Sequence, residues 1–244
     1  MSLLELEDVA VSFGGLRALD GISFSVEEGE ILGLIGPNGS GKSTAFNVIT
    51  GAVRADSGRV RFDGRDITGL APHKIAYRGV ARTFQLVRPF ARMTALENVL
   101  VGTYFGAGRL RHRGRAIEHA HEILARVGLE RKAGLHAAEL TILERKWLEV
   151  GRALAGKPRL ILLDEFMAGI NQSQVPEAVE LVKSMNRMGV TVVVVEHIIK
   201  AITSACHRII VIDAGQKLAE GSVEEVVHDP RVIEAYLGSR HAGG

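Results

Sequence analysis

Nine residues, Gly36-Pro37-Asn38-Gly39-Ser40-Gly41-Lys42-Ser43-Thr44, constrain this chain more than any other stretch. They place a glycine, four variable positions, a second glycine, a lysine and a hydroxyl residue in the spacing of a phosphate-binding loop. The apolar run Ile31 to Ile35 before them reads as a buried strand, and Lys42 to Thr50 after them reads as a helix closed by Gly51. Glycines in such a turn let successive backbone amides close around phosphate oxygens, and the helix start adds partial positive charge. Lys42 is then placed to reach the terminal phosphates and Ser43 to put its hydroxyl on Mg²⁺. Gly36, Pro37, Asn38, Gly39, Ser40, Gly41, Lys42, Ser43 and Thr44 are the candidate nucleotide-binding residues. An ordinary glycine-rich turn would not need the Lys-Ser pair and both flanking elements.

A chain of 244 residues is long enough to bury a full core as one large domain. With 30 basic and 28 acidic residues the net charge is only +2, so no global electrostatic case for nucleic acid exists. The single Cys206 excludes an internal disulfide framework and fits a reducing compartment, and the acidic start Glu5, Glu7 and Asp8 is unlike a signal peptide. Apolar runs such as Val190 to Val195 are strand-sized, far below the ~20 residues a membrane span requires.

Residues 3 to 12 alternate loosely, and Ile22, Phe24 and Val26 alternate with serines, a half-buried and peripheral antiparallel pattern. Phe13 precedes Gly14-Gly15 at the end of the first strand, as a core aromatic or a surface on which a base stacks. Residues 57 to 67 read as a hairpin turning at Asp63-Gly64, and a short helix opens at Ala71-Pro72-His73. Val80 to Gln85 is strand-like and puts Gln85 at a strand-to-loop junction. A helix from Thr94 to Leu100 carries Glu97 three residues past its cap. Four arginines between Arg109 and Arg115 read as a solvated loop before a helix from Ala116 to Val127, with a nucleic-acid or headgroup contact as the alternative. His119 and His121, two apart on that helix, face different ways and make no metal pair. Residues 141 to 155 continue helically, with Leu143, Trp147, Val150 and Leu154 on one stripe and Glu144, Arg145 and Glu149 elsewhere.

Leu160 to Leu163 is a buried-strand run ending in Asp164-Glu165. Beside a phosphate loop, Asp164 suits Mg²⁺ held through its water shell, and Glu165 suits the base that orients or deprotonates an attacking water. A helix from Val175 to Met188 leads to Val190 to Val195, which closes on Glu196-His197. Parallel strands present their carboxyl ends on one edge, so His197 is placed beside the γ-phosphate. Arg208 to Asp213 forms a further strand and turn, and Val223 to Leu237 reads as helical.

With these residues in order, the chain resembles the ATP-binding subunit of an ABC transporter over nearly its whole length. The phosphate loop, Gln85, Asp164-Glu165, Gly169-Ile170-Asn171 and His197 follow the family's Walker A, Q-loop, Walker B, D-loop and switch histidine. Phe13-Gly14-Gly15, Ala81 to Gln85, Met93-Thr94 to Glu97-Asn98 and the tail Val232 to Gly238 look more narrowly like subunits energising branched-chain amino-acid importers. The resemblance implies one ABC ATPase domain over residues 1–244: an α/β P-loop NTPase core with a mainly parallel sheet, an antiparallel β subdomain, and an α-helical subdomain at roughly 88–157. It implies an ATPase using ATP and Mg²⁺, with Phe13 against adenine, Gln85 near the metal, and catalysis by Glu165 and His197. The implied partners are transmembrane permease subunits, a second ABC ATPase subunit in a homo- or heterodimer and, indirectly, a solute-binding protein, with no nucleic acid. The implied location is cytoplasmic, on the inner face of the cell membrane. A soluble ABC ATPase acting on nucleic acid or a protein assembly is the alternative, although such chains commonly carry two phosphate loops and this one carries one.

The departure is in the signature segment. Where the family usually has Leu-Ser-Gly-Gly-Gln, this chain has Leu140-Thr141-Ile142-Leu143-Glu144, and Phe166 replaces the proline usual after the catalytic glutamate. Thr141 keeps a hydroxyl, but Ile142 and Leu143 bring side chains, and Glu144 brings negative charge, where backbone amides meet phosphate. In the family a signature completes the partner's site. The expectation is an asymmetric heterodimer that turns over the partner's ATP more slowly; the alternative is a subfamily variant whose backbone still reaches phosphate.

Overall fold

The computed structural model describes residues 1–84 and 89–237, so Gln85 and the Gly238 of the tail motif lie outside the described residues. The chain opens with β1 (Ser2–Phe13) and β2 (Leu16–Glu27), antiparallel, with Leu6 opposite Phe24 and Val9 opposite Ile22. β3 (Ile31–Ile35) then runs into the phosphate loop and α1 (Lys42–Ile49). β4 (Ser57–Phe62) and β5 (Arg65–Asp66) form the expected hairpin, and Asp63 and Gly64 take φ of 52° and 68°, the left-handed pair a two-residue turn requires. α2 (Pro72–Ala76) leads to β6 (Val80–Arg82). A helical layer follows: α3 (Ala95–Phe105), α4 (Arg113–Arg126) and α5 (Ile142–Ala155). β7 (Leu160–Asp164), α6 (Val175–Arg187), β8 (Thr191–Val195), α7 (Ile199–Ala205), β9 (Arg208–Asp213), β10 (Gln216–Ser222), α8 (Val223–Val227) and α9 (Pro230–Leu237) complete the described chain.

Two sheets result, one antiparallel in the order β2-β1-β4-β5 and one in the order β10-β9-β3-β8-β7-β6. In the second, β9, β3, β8, β7 and β6 run parallel and only β10 is antiparallel. Strand periodicity divides its side chains between two cores. Ile31, Ile35, Ile161, Leu163, Val192 and Val194 pack with the helical layer and α6. Leu32, Leu34, Leu160, Leu162, Val193 and Val195 pack with α1 and the antiparallel sheet. Burial on both faces explains why these strands read as continuous apolar runs rather than alternating ones.

Some boundaries differ from the sequence reading. α4 begins at Arg113, not Ala116, because the His112 ring caps it by accepting the Arg115 amide at 3.4 Å. Arg113 and Arg115 therefore belong to a helical first turn, and only part of the arginine-rich stretch is loop. Basic residues oppose the macrodipole there, so start rules miss it. The stretch 223–237 is two helices: Pro230 supplies no amide donor and opens α9, while the Asp229 carboxylate accepts the Arg231 amide at 2.9 Å. β10 escaped notice because it is an edge strand with Ala219 its only buried residue, so no alternation marks it. The short helix α7 is likewise new.

Candidate active site

The residues singled out for chemistry lie where parallel strands end. Ile35 hands over to the phosphate loop, Arg82 to Thr83-Phe84, and Asp164 stands opposite Val195, which precedes Glu196-His197. This shared carboxyl edge is where open α/β sheets bind ligands.

The loop's glycines are required by close backbone approaches. Gly36 has φ of 152° and a Cβ there would lie 2.0 Å from the Ile212 carbonyl oxygen; at Gly41, with φ of 111°, it would lie 2.5 Å from that of Ala18. Lys42 is buried, and its Nζ donates to the carbonyls of Gly36 and Pro37, both at 2.8 Å. Burial lowers the Lys42 pKa while the charges of Glu165 and Asp164 oppose that shift, which puts both carboxylates within electrostatic reach of the ammonium. Ser43 is exposed on the first turn of α1 and Thr44 half-buried. Phe13 is 51% exposed at the tip of the β1–β2 hairpin, not in the core, and Ala18 packs that hairpin against the loop.

Glu165 adopts φ of 46°, a left-handed conformation costing a non-glycine residue about 1–2 kcal/mol. Its amide donates to the Val195 carbonyl at 2.9 Å and its own carbonyl accepts the Ala168 amide at 3.0 Å, so the surrounding turn enforces the strain. In this pose Glu165 Oε1 lies 2.8 Å from His197 Nε2. A carboxylate accepts there, so the ring presents Nε2–H.

Asp164 is buried and meets a residue the sequence reading passed over. Arg82 Nη2 donates to Asp164 Oδ2 at 2.6 Å and Nη1 to Asn47 Oδ1 at 2.6 Å, with the guanidinium lying over the Phe46 and Phe84 rings. Thr83 Oγ1 accepts the Asp164 amide at 3.4 Å. Arg82 Nη2 takes the Oδ2 oxygen of that carboxylate. The Ser43 hydroxyl and this carboxylate are hard oxygen donors of the kind Mg²⁺ takes while keeping several waters, so the residues present fit the ion.

The signature segment folds as a capped helix start. Thr141 is the N-cap of α5: its Oγ1 accepts the Glu144 amide at 3.3 Å and Glu144 Oε2 accepts the Thr141 amide at 3.0 Å, a reciprocal capping box. Ile142 is 70% exposed, and Leu143 turns inward against the core. The Glu144 carboxylate pairs with Lys132, whose hydrogen bond holds its pKa below the usual carboxylate range. The negative charge expected to oppose phosphate is thus balanced within the chain. In the D-loop segment Gly169 has φ of 74°, the Ile170 amide donates to Met167 at 3.3 Å, and the Asn171 amide donates to Gln174 Oε1 at 3.1 Å.

Lys146 and Glu196, the residue before His197, are buried behind Glu165. Lys146 Nζ donates to the Phe166 carbonyl at 2.8 Å and Glu196 Oε1 accepts the Met167 amide at 2.7 Å. Burial pushes the carboxyls of Glu196 and Glu149 up to about 7. Glu149, off the apolar stripe of α5, is buried because that helix is covered on a second side, where its Oε1 accepts the Phe84 amide at 3.3 Å.

Comparison with known proteins places this geometry. The ABC transporter family model matches residues 19–168, and that for the branched-chain amino acid ATP-binding cassette transporter matches residues 216–242. The chain belongs to the ABC transporter family. The high-affinity branched-chain amino acid transport ATP-binding protein BraF of Pseudomonas aeruginosa is 40% identical over 97% of this chain and 98% of its own. The ADP conformation of MJ1267, an ATP-binding cassette of an ABC transporter, superposes with a TM-score of 0.88 at 35% identity, over 98% of this chain and 99% of that one. The dimeric post-hydrolysis structure of the cassette MJ0796, bound to ADP and Pi, gives 0.80 at 28% identity, over 90% and 98%. This ABC cassette is thus an ATP-binding ATPase with the ABC ATPase fold, and among its described residues no helix is long and apolar enough to cross a membrane.

Proposed function

We propose that this cassette energises an ABC importer for branched-chain amino acids or a related small polar solute. Supporting the solute class are the name of the Pseudomonas relative and the family match at residues 216–242. The observation that carries the mechanism is the 2.8 Å contact between Glu165 and His197 at the sheet edge that also holds Lys42 and Asp164.

Gly36 to Thr44 cradle the phosphates through loop amides and the start of α1, and Lys42 exchanges its loop carbonyls for phosphate oxygens. Ser43 and Asp164 would hold Mg²⁺, which would neutralise charge developing on the phosphates. Glu165 accepts a proton from the attacking water, and the Nε2–H of His197 orients that carboxylate and then the γ-phosphate. Phe13 presents an exposed ring face to adenine. A second cassette closes on this one, so that Thr141 to Glu144 offer a capped helix start to the partner's ATP while Gly169, Ile170 and Asn171 line the interface. With Glu144 balanced by Lys132 and Ile142 in solvent, the amides of Ile142 and Leu143 stay available to phosphate despite the missing glycines, while the capping box holds those of Thr141 and Glu144. Permease subunits dock in the groove between β6 and the helical layer, lined by Phe84, Val101, Phe105, Glu149 and Arg152, with Phe84 and Phe105 exposed at its rim. That arrangement puts the chain on the cytoplasmic face of the membrane, with a solute-binding protein acting on the opposite side. The name of the Pseudomonas relative favours transport over action on nucleic acid.

Uptake of labelled leucine, isoleucine and valine tests the solute. Cells carrying Lys42→Ala in place of the native chain should lose uptake along with ATP binding, and unchanged uptake of all three would overturn the solute class. The mass of purified Glu165→Gln with Mg-ATP tests the signature: an ATP-dependent shift to twice the monomer mass shows it working in a like pair, and monomers with ATP bound assign an unlike partner.

A further inference from the structure

We propose that Lys146 is a positioning residue for Glu165, an inference that rests on Glu165 being the base. The turn carrying Glu165 is strained, with its left-handed φ of 46°, and has Phe166 where a proline would fix the next φ. Another restraint is needed, and two buried charged side chains supply it. Lys146, 6% exposed on α5, donates its Nζ to the Phe166 carbonyl at 2.8 Å. Glu196, 2% exposed at the end of β8, accepts the Met167 amide at 2.7 Å. Successive backbone groups of one turn are thus held from opposite sides. Phe166 adds a packing contact with Trp147, the residue after Lys146, at a ring-centroid distance of 6.0 Å.

Stability alone gives little reason for this lysine. Taking an ammonium out of water costs several kcal/mol, and well-packed apolar replacements of buried ion pairs are often neutral or stabilising. Burial lowers the Lys146 pKa, and Glu196, Glu149 and Glu165 oppose that shift, so the ammonium sits among three carboxylates of which Glu165 is one. Geometric control of the base accounts for its place. Rotation of the Phe166 peptide would release the Glu165 carboxylate from His197, and displacement of a reacting group by about 1 Å can cost on the order of 100-fold in rate. Lys146 lies on the helix capped by Thr141, so one rigid element joins the segment facing the partner's ATP to the turn carrying this chain's base.

The test compares Lys146→Met, Lys146→Arg, the double variant Lys146→Met/Glu196→Gln and Glu165→Gln, each in the complex that co-purifies with the tagged chain. ATP affinity, kcat and thermal midpoint are measured for each. Lys146→Met should keep ATP affinity within about twofold while kcat falls about 10–100-fold. Lys146→Arg, which still donates to the Phe166 carbonyl, should recover most of the rate. The double variant removes the unpaired buried charge and keeps an acceptor for the Met167 amide, so it should fold like the native chain and remain slow. Native kcat in Lys146→Met beside an inactive Glu165→Gln would overturn the positioning role. Recovery of kcat in the double variant would also overturn it, tracing the loss to unbalanced charge. Full turnover in Glu165→Gln would remove the base itself, a failure readable separately from the other two.

Discussion

Replacing Arg82 with Met would strip the buried Asp164 carboxylate of its counter-charge while roughly keeping side-chain volume. The pair is short, 2.6 Å, and its side chains are only 9% and 5% exposed, so solvent cannot take over the arginine's role without local opening. Breaking one side of such a pair typically costs about 3–5 kcal/mol. Loss of the Asn47 hydrogen bond and of the guanidinium contacts with Phe46 and Phe84 acts in the same direction. For a domain of this size each kcal/mol moves the midpoint by about 2–4 °C, so Arg82→Met should unfold about 10 °C lower. The assay is thermal unfolding followed by far-UV circular dichroism at pH 7, without nucleotide, for the native chain, Arg82→Met, Asp164→Asn and the double variant. The double variant should be more stable than Arg82→Met, because the uncompensated charge is gone. A shift below about 2 °C in Arg82→Met, or a double variant less stable than either single one, would refute the reasoning.

Glu196 makes a pH-dependent prediction. Its carboxyl is raised from an ordinary 4.5 to about 7 by burial, so the folded chain binds this proton more tightly than the unfolded one. The resulting stabilisation is fully present below pH 4.5 and is lost as pH rises through about 7, a span worth on the order of 3 kcal/mol. Glu196→Gln should therefore flatten the fall in thermal midpoint between pH 5 and pH 7.5, and superimposable pH profiles would contradict the assignment. Gly36→Ala would place a methyl 2.0 Å from the Ile212 carbonyl oxygen; calorimetric titration should show at least a tenfold loss of ATP affinity, and native affinity would show that the loop tolerates a Cβ there.

The parallel core and the phosphate loop were readable because each rests on local pattern. Leu160 to Asp164 and Thr191 to Val195 are fully buried strands whose composition leaves few other assignments, and the glycines of the loop announce backbone that must approach other backbone. The hairpin at Asp63-Gly64 and the capping box at Thr94 were legible for the same reason, since each is written within a few residues. What escaped notice depends on contacts distant in sequence. Arg82 reads as an ordinary basic residue until β6 pairs with β7 and sets it beside Asp164, 82 positions away. Lys146 and Glu149 lie off the apolar stripe of α5, and only the packing of that helix on two sides buries them. Glu144 counted as an unbalanced negative charge because Lys132 reaches it from an adjoining 3₁₀ turn.

Nucleotide retained by Glu165→Gln tests most directly whether the contact between Glu165 and His197 is the hydrolytic centre. After incubation with Mg-ATP the protein is desalted and the bound nucleotide identified by chromatography. The geometry predicts ATP, held in near-stoichiometric amount and unhydrolysed while the native chain releases ADP. ADP formed by the variant at the native rate would contradict it and place the base elsewhere.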